Sequence, residues 1–386
     1  MKLNLPLIAL ATGAFGIGTT EFAPMGLLTV IARDLHVTIP RAGLLVSGYA
    51  IGVLIGAPLL TLTTRKVPRK TLLLLLMGLF TIGNLLSALA PSYLFLMGAR
   101  IVTSFCHGAY FGVGSVVAAH LVAPDRRAGA VAAMFMGLTI ANIGGVPLAT
   151  WVGQHAGWRA AFGGIAALGV IAICAIALAL PRQEAEPEEG VRGAMRVMTR
   201  PAVLVALLTT VLGSSAMFTV FTYIAPILEQ VTRVTPNFVT AALVVYGVGL
   251  TIGNYLGGRF ADRALRPTLI VVLALLVAFL MIFSWTMAWP LPAIATIFAW
   301  GISTFALVPS LQSWLMQVAA GAPNLAASVN IGAFNLGNAL GALLGGAVIG
   351  ADFGYRWVAV AGAAMALTGL ICVLLAPFNA PSRSAK

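Results

Sequence analysis

Twelve long apolar runs alternate with short polar connections along the chain. A helix needs about 20 apolar residues to cross a bilayer, and each run reaches that length. The approximate bounds are 4–31, 41–64, 71–90, 93–121, 128–153, 158–180, 201–228, 238–261, 268–288, 291–317, 325–350 and 357–376. The alternating segments of about ten residues that are typical of membrane β-barrels do not occur. The pattern predicts an all-α membrane protein with twelve transmembrane helices.

Composition supports a membrane protein and changes how the net charge is interpreted. Apolar residues make up 60% of the chain and charged residues only 8%, whereas soluble domains carry about 25% charged residues. In a soluble protein the net charge of +12 would suggest nucleic acid. Here it indicates basic loops held in the cytoplasm, with the lipid bilayer as partner and no nucleic acid. The three cysteines lie in apolar runs and are interpreted as buried hydrophobes, so no metal site is expected.

The basic residues predict the orientation. With the N-terminus in the cytoplasm, sixteen of the 22 lysines and arginines fall on the cytoplasmic side and five on the outer side, while Arg100 lies within a span. This asymmetry favours an arrangement with both termini in the cytoplasm. A cleaved signal peptide is the alternative for the first run, because Ala9-Leu10-Ala11 resembles a cleavage site. The apolar core before it is only about half a dozen residues, which is short for that role.

An internal repeat appears when the chain is shifted by 197 residues. The matching pairs include Tyr49 with Tyr246, Gly52 with Gly249, Arg69 with Arg266, Gly144 with Gly341, Gly157 with Gly354 and Arg159 with Arg356. The repeat predicts two parallel six-helix halves, 1–180 and 201–386, joined by a cytoplasmic linker, 181–200. Parallel repeats place a substrate path at their interface near the bilayer midplane. Glycines spaced four apart predict close helix packing, either static or allowing the halves to rock.

Several segments resemble a known family of transporters. They are 16–28 in the first span, 100–114 in the fourth, 141–147 with 157–159 in the fifth, and 330–338 in the eleventh. With them the chain resembles the major facilitator superfamily, in particular its drug:proton antiporter branch of AraJ- and YdhP-type inner-membrane transport proteins and chloramphenicol exporters. The resemblance covers nearly the whole chain. It implies a multi-pass protein of the bacterial inner membrane with the major facilitator fold.

The resemblance also implies two motifs. Gly144, Gly145 and Pro147 match the family's antiporter motif in the fifth span. The segment 258–263 resembles an inner loop motif whose Asp locks neighbouring helices on the cytoplasmic side. The first-half copy departs from that pattern, because Arg65 stands where the acid is expected. The expected cytoplasmic gate comprises Arg65, Arg69, Asp262, Arg263 and Arg266.

Two charged residues remain inside the spans once the loop charges are assigned. Of the acids only Glu21 lies deep in a span, and of the bases only Arg100. Such residues cost about 2.5–3.5 kcal/mol on insertion scales and usually face a bundle interior or a wet cavity. Glu21 is interpreted as the proton carrier, with a structural carboxylate as the alternative. Arg100 either tunes Glu21 or bonds structurally to backbone carbonyls. Both lie in the outer half of the membrane and are expected to share one cavity.

Other polar and aromatic residues in the spans predict a largely apolar substrate cavity with a few hydrogen-bonding groups. The candidates are His107, Asn142, Phe218, Phe221, Tyr223, Gln312, Asn335 and Asn338. Ordinary packing contacts between helices are the alternative for each of them. His107 lies seven residues after Arg100 and therefore on the same face of the fourth span.

Together these features predict a secondary transporter, not an enzyme. The chain has no phosphate-binding GxxxxGK[ST] loop, so ATP is not expected to drive it, and the proton gradient replaces a cofactor. The expected function is export of a drug-like or sugar-like small molecule in exchange for protons, by a monomer that alternates between two access states. Proton-coupled or uniport uptake of a sugar or nucleoside is the alternative. A passive channel or a non-transporting sensor is a more remote one.

Overall fold

The computed structural model describes residues 4–64, 66–123, 126–181, 196–321 and 323–376, and these form a bundle of helices. Twelve segments are long and apolar enough to cross a membrane, as predicted. The helices of the first six crossings are α1 (Leu5–Asp34), α2 (Ile39–Thr63), α3 (Arg69–Ala88), α4 (Tyr93–His120), α5 (Arg127–Ile140) with α6 (Val146–Ala156), and α7 (Trp158–Ala179).

The last six crossings begin after the predicted linker, most of which (182–195) lies outside the described residues. Their helices are α8 (Pro201–Phe221), the short α9 (Ile224–Ile227), α10 (Pro236–Arg263), α11 (Leu265–Thr286), α12 (Pro290–Val318), α13 (Pro323–Gly350) and α14 (Tyr355–Leu375). The predicted spans agree with these bounds to within a few residues, except that the seventh was predicted to continue to 228 and its helix ends at Phe221.

Local sequence explains where several helices begin. Thr38, Ser92 and Thr235 stand before α2, α4 and α10, and each side chain accepts a hydrogen bond from a backbone N–H of the first turn. These bonds satisfy donors that a helix start leaves free. Gly157 and Gly354 precede α7 and α14 with φ of 88° and 86°. Only glycine adopts this backbone region readily, which accounts for glycine at both positions of the repeat pair.

Two irregular segments interrupt the spans, and the apolar pattern does not reveal them. A π-helical turn, Ala141–Gly145, joins α5 to α6 within one crossing. The seventh crossing ends at Phe221, after which α9 leads into a second π-helical turn, Leu228–Thr232. Single π turns inside helices are frequent at functional sites, and the first of these contains Gly144 and Gly145 of the predicted antiporter motif.

The glycines spaced four apart pack against helices of their own set of spans, where one set is the first six spans and the other is the last six. A side chain at Gly52 would meet Ser104 of α4, one at Gly253 would meet the backbone of Ile302 in α12, and one at Gly341 would meet the α8 backbone near Ser215. Each run of glycines therefore lets two helices of the same set approach closely. This placement favours the static packing interpretation over a rocking surface between the two sets.

Two hydrophobic cores fill the bundle. One consists entirely of residues from the first six spans. The other takes its buried members from the last six spans and from seven residues of the first six. Those seven are Phe22, Met25, Leu28, Ala32, Ala42, Val46 and Val146. Since the number of crossings is even, both termini lie at one end of the bundle. Six of the seven belong to the halves of α1 and α2 nearer the opposite end, which we call the far end.

Polar contacts between the two sets of spans also lie towards the far end. Ser47 of α2 donates to the carbonyl oxygen of Ala339 in α13 over 3.1 Å. Thr240 of α10 donates to Gln154 Oε1 of α6, also over 3.1 Å. The Tyr223 hydroxyl lies so close to Gly43 that a Cβ there would overlap it. The two sets of spans therefore meet closely at the far end.

Candidate functional site

Glu21 lies within α1, where the helix is enclosed by its neighbours. Every residue of α1 from Gly16 to Thr29 is buried, and Glu21 is only 6% exposed. Glycines make this enclosure possible, because a side chain at Gly18 would collide with Leu138 of α5 and one at Gly16 would press on Phe80 of α3. The sequence thus buries the carboxyl group of Glu21 among helices rather than in lipid.

Arg100 of α4 is 1% exposed and contacts the residue next to Glu21. Its Nη1 donates to Thr20 Oγ1 over 3.0 Å, and Thr20 Oγ1 in turn donates to Asn84 Oδ1 over 2.6 Å. The guanidinium also lies 4.2 Å from the centre of the Tyr49 ring. A cation over an aromatic face is attracted by the ring quadrupole. Arg100 thus ties α4 to α1, α2 and α3.

Two nitrogens of Arg100, Nε and Nη2, are buried without a hydrogen-bond partner. The charge of Arg100 is therefore only partly satisfied by its neighbours. Among the described residues no ion pair of 4.0 Å or less joins Arg100 to Glu21. The predicted neighbourhood of these two residues is present, but the contact runs through Thr20 instead of between the charged groups.

His107 supplies the ionisable group that faces Glu21. Its Nε2 lies 3.9 Å from Glu21 Oε2, and both side chains are 7% exposed. Its other ring nitrogen, Nδ1, lies 3.2 Å from the Tyr49 hydroxyl. Glu21, His107, Tyr49 and Arg100 therefore form one buried cluster drawn from α1, α2 and α4. The sequence placed His107 in the substrate cavity and did not single out Tyr49 for a role.

An aromatic cluster continues from Phe22 into the last six spans. The Phe22 ring centre lies 6.0 Å from that of Phe218 and 6.1 Å from that of Phe221. Phe221 stacks on Tyr246 at 4.6 Å, and Tyr246 lies 4.8 Å from Trp300. The predicted pair Phe218 and Phe221 is thus part of a larger apolar surface that begins beside Glu21.

Sequence reasoning missed Tyr246 and Trp300 as members of this cluster. Tyr246 is the repeat partner of Tyr49, but the repeat does not indicate that its ring joins an aromatic cluster. The hydroxyl of Tyr246, the indole nitrogen of Trp300 and the hydroxyl of Thr304 are all buried without a hydrogen-bond partner. Unpaired polar groups of this kind are uncommon in protein interiors.

The predicted polar residues of the eleventh span lie in a network between α8, α12 and α13. Ser214 donates to Asn338 Oδ1, and Thr210 donates to Asn330 Oδ1, both over 2.9 Å. Asn330 Nδ2 donates to Gln312 Oε1. Asn335 donates to a backbone carbonyl of its own helix, but its Oδ1 is buried without a partner. Asn335 therefore keeps a buried polar atom that has no hydrogen-bond partner.

Asn142 and Tyr223 lie where the two sets of spans meet. Asn142 is in the π turn of the fifth crossing, and its backbone lies against Gly247 of α10. The Tyr223 hydroxyl donates to the carbonyl oxygen of Ala342 over 2.7 Å. The structure thus places Tyr223 in the close packing of the far end.

The antiporter-like motif differs in packing from residue to residue. Gly145 lies against Thr19 and Phe15 of α1, so a side chain there would push α1 away. At Gly144 a Cβ would meet no atom within 4 Å. Pro147 is the second residue of α6, directly after the π turn, and its ring provides no N–H to the backbone of that turn.

The predicted cytoplasmic gate lies at the end that holds the termini. Arg69 Nη1 lies 3.1 Å from His120 Nδ1, and Arg266 donates to the carbonyl oxygen of Leu374. Asp262 and Arg263 are exposed at the end of α10. Within the described part of the chain no ion pair involves Asp262. Arg65 lies outside the described residues.

Comparison with known proteins identifies the family to which the chain is similar. The Major Facilitator Superfamily profile matches residues 10–329 and 236–386. The "Inner membrane transport protein YdhP" of Escherichia coli strain K12 is 54% identical over 381 residues, covering 99% of this chain and 98% of the relative. A "Chloramphenicol resistance protein" of Streptomyces lividans is 32% identical over 352 residues, covering 90% of each.

Solved structures support the same fold. A bacterial homologue of the human lysosomal transporter Spinster, in an inward-facing and occupied conformation, matches with a TM-score of 0.74 at 16% identity over 96% of each chain. The profile, the relatives and the twelve membrane helices together show that this chain is a multi-pass transport protein of the bacterial inner membrane and belongs to the Major Facilitator Superfamily.

Proposed function

We propose that this protein exports a neutral or cationic small molecule from the cytoplasm in exchange for protons. The observation that carries the proposal is the burial of Glu21 beside His107 and the Arg100–Thr20 contact. A carboxyl group inside a bundle is costly to keep charged unless it is paired. Such a group responds to small changes in its surroundings, as a proton carrier must.

Arg100 and burial act on Glu21 in opposite directions in this proposal. Arg100 is buried with two free nitrogens and favours the charged form of a nearby carboxylate through space. Burial favours the neutral form. A change of access from one side to the other alters hydration around Glu21 and shifts the balance between these two effects. Glu21 therefore takes up a proton in one state and releases it in the other.

Close packing at the far end suggests which access state the structure represents. The basic residues predict that the termini are cytoplasmic, which makes the far end the outer side. With the far end packed and Asp262 exposed at the other end, the expected opening is towards the cytoplasm. The predicted gate would close around Asp262, Arg263 and Arg266 when the far end separates.

The substrate path in this proposal runs along the aromatic cluster and the polar network of α13. Phe22 connects the proton-carrying region to Phe218, Phe221 and Tyr246, and Asn335 Oδ1 offers a free acceptor. This lining is largely apolar with few hydrogen-bonding groups, as small-molecule pockets usually are. A drug-like neutral compound such as chloramphenicol suits it, and a relative's name provides the same suggestion.

A sugar is the second candidate substrate. Another relative, from Helicobacter pylori strain J99, is named "Probable sugar efflux transporter" and is 29% identical over 360 residues. Aromatic rings that flank hydrogen-bonding groups also suit a sugar ring. Proton-coupled uptake remains the alternative direction, and comparing accumulation in everted and right-side-out vesicles separates it from export.

Everted membrane vesicles with an acidic interior test the proposal. If substrate enters the lumen as protons leave, adding chloramphenicol or arabinose raises the lumenal pH in wild-type vesicles. The variant Glu21→Gln keeps the shape of the side chain but cannot exchange a proton, so the response is expected to disappear. A wild-type response of unchanged rate in Glu21→Gln would overturn the assignment.

A further inference from the structure

The environment of His107 indicates a role that its place in a predicted substrate cavity does not explain. The ring has two nitrogens, and each faces a different polar group. Nε2 faces Glu21 Oε2 at 3.9 Å, and Nδ1 faces the Tyr49 hydroxyl at 3.2 Å. A ring whose two nitrogens are occupied in this way can bind and release a proton without changing its position.

We propose that His107 is a second proton-carrying residue, which receives the proton of Glu21, and that Tyr49 is the positioning residue that sets its tautomer. The proposal rests on the function proposed above, since it takes Glu21 to be the first carrier. It assigns His107 to proton movement rather than to substrate contact.

His107 lies at nearly the same depth in the membrane as Glu21. Glu21 is thirteen residues from the far-end terminus of α1 at Asp34, and His107 is fourteen residues from the far-end start of α4 at Tyr93. At 1.5 Å per residue these separations are about 20 Å and about 21 Å. A proton that moves from Glu21 to His107 therefore passes between two helices at one depth, and its release towards the cytoplasmic side is a separate step.

The transfer balances in atoms and charge. When Glu21 is protonated and His107 neutral, Nδ1–H donates to the Tyr49 oxygen and the lone pair of Nε2 faces the carboxyl group. The O–H bond of Glu21 then breaks and an N–H bond forms at Nε2, which leaves a carboxylate beside an imidazolium. The Nε2–H bond of the imidazolium then breaks and its proton passes to water on the cytoplasmic side, which restores the neutral Nδ1–H tautomer and completes the release.

Tyr49 suits both the neutral and the protonated ring because its hydroxyl oxygen can accept a hydrogen bond. In both states Nδ1–H donates to the Tyr49 oxygen, so the exchanged proton enters and leaves at Nε2. The separation of 3.9 Å exceeds a direct hydrogen bond. One bridging water or a short side-chain rotation spans it, as is common where catalytic hydrogen bonds tighten only in the working state.

The other groups around His107 do not replace either partner. On its own helix lie Arg100, the Cys106 thiol, which donates to the Thr103 carbonyl oxygen, and Tyr110, which donates to the Leu10 carbonyl oxygen. Against the ring pack Tyr49 of α2 and Phe111. From α1 the facing ionisable group is Glu21, and among the described residues no further charged contact of His107 occurs.

Tyr49 also connects this site to the far end. It lies two residues after Ser47, whose hydroxyl bonds across to Ala339 of α13. A close approach at Gly52, where a side chain would collide with Ser104, holds this part of α2 against α4. Movement of α2 during separation of the far end would therefore disturb the Tyr49–His107 contact, which links proton release to the access state.

Nitrogen-15 NMR of the histidine side chains tests the proposal without any transported compound. The chain has four histidines, and the signal lost in His107→Asn identifies His107. The full-length wild type is the reference. Relative to it, we expect the titration of His107 to shift in Glu21→Gln and the tautomer ratio of His107 to change in Tyr49→Phe. Tyr49→Phe keeps the ring beneath Arg100. The control Tyr110→Phe removes a hydroxyl three residues along α4 and should change neither.

Proton release in everted vesicles, with chloramphenicol as the probe, supplies the second readout. We expect His107→Asn to lower the rate at least about tenfold, and Tyr49→Phe to shift its pH profile. Identical His107 spectra in wild type, Glu21→Gln and Tyr49→Phe would overturn the inference, as would an unchanged rate and pH profile in His107→Asn. A different outcome is that the His107 spectra change in Glu21→Gln and Tyr49→Phe while Glu21→Gln exports at the wild-type rate. That outcome would contradict the proposed function but not the interaction between Glu21 and His107.

Discussion

Nε2 of His107 lies 3.9 Å from Oε2 of Glu21, whereas in the described part of the chain no ion pair of 4.0 Å or less joins Glu21 to Arg100. The arginine instead donates to Thr20, one residue earlier in α1. The two basic groups near Glu21 thus act at different points. Arg100 braces the helix that carries the carboxyl group, and His107 faces the carboxyl group itself.

Replacing Thr20 by valine should destabilise the protein, because Thr20 both accepts from Arg100 and donates to Asn84. The change removes the one hydrogen bond that the described residues accept from the Arg100 guanidinium, and it leaves Asn84 Oδ1 without its donor. Buried polar groups left unpaired cost about 1–3 kcal/mol each. We expect a lower thermal unfolding midpoint in detergent.

The control for this variant is Thr19→Val. Thr19 is also buried, but its hydroxyl donates only to the Phe15 carbonyl oxygen within α1. Its loss should lower the midpoint much less. Equal midpoints for the two variants would show that the Arg100–Thr20–Asn84 chain does not brace the site.

Removing the hydroxyl of Tyr246 should leave stability unchanged or raise it. This oxygen is buried in the aromatic cluster beside the Thr304 hydroxyl and makes no hydrogen bond of good geometry, so Tyr246→Phe removes a poorly satisfied polar atom and keeps the stacked ring. Tyr110→Phe is the matched comparison, since the Tyr110 hydroxyl donates to the Leu10 carbonyl oxygen over 2.9 Å. Its loss should cost about 1 kcal/mol. A larger fall in the unfolding midpoint for Tyr246→Phe than for Tyr110→Phe would contradict this description of the cluster.

Closure of the far end should become more favourable as the pH falls. Glu229, in the second π turn, faces Thr29 and Arg33 of α1, and burial raises its pKa above the ordinary value of 4.5 while both neighbours oppose the shift. The closed far end therefore binds this proton more tightly than a hydrated carboxylate does. By linkage, closure gains stability as the pH falls from above the raised pKa towards the ordinary value.

Spin labels at the exposed far-end positions His36 and Phe353 measure that closure by their separation. The population at the shorter distance should increase on acidification. Glu229→Gln should remove the dependence, because the amide does not titrate. A dependence of the same size in that variant would assign the effect to another group.

Much of the fold follows from the sequence because lipid imposes a simple rule on it. Each crossing needs a long apolar helix whose backbone is satisfied internally, so run lengths alone located the twelve spans. Gly157 and Gly354 marked matching turns because their backbone conformation favours glycine. The π turn 141–145 and the break after Phe221 were not predicted, since neither interrupts the apolar pattern.

The site was predictable only in part. Buried charge is so costly in a membrane that Glu21 and Arg100 stood out without a structure. Their partners did not, because Tyr49, Thr20 and Asn84 are common residues in spans and their roles depend on which helix faces move together. The pairing of His107 with Glu21 depends on the crossing of α1 and α4, which periodicity within each helix does not fix.

The central claim is that Glu21 carries the exchanged proton, and lumenal pH in everted vesicles tests it most directly. Chloramphenicol and arabinose are added in turn to vesicles that contain wild type, Glu21→Gln or Asp352→Asn. Asp352 is an exposed acid at positive φ, a conformation that asparagine also tolerates, so its variant controls for loss of a carboxylate. The account predicts a rise in lumenal pH for wild type and Asp352→Asn and none for Glu21→Gln. A rise in Glu21→Gln vesicles at the wild-type rate would contradict it.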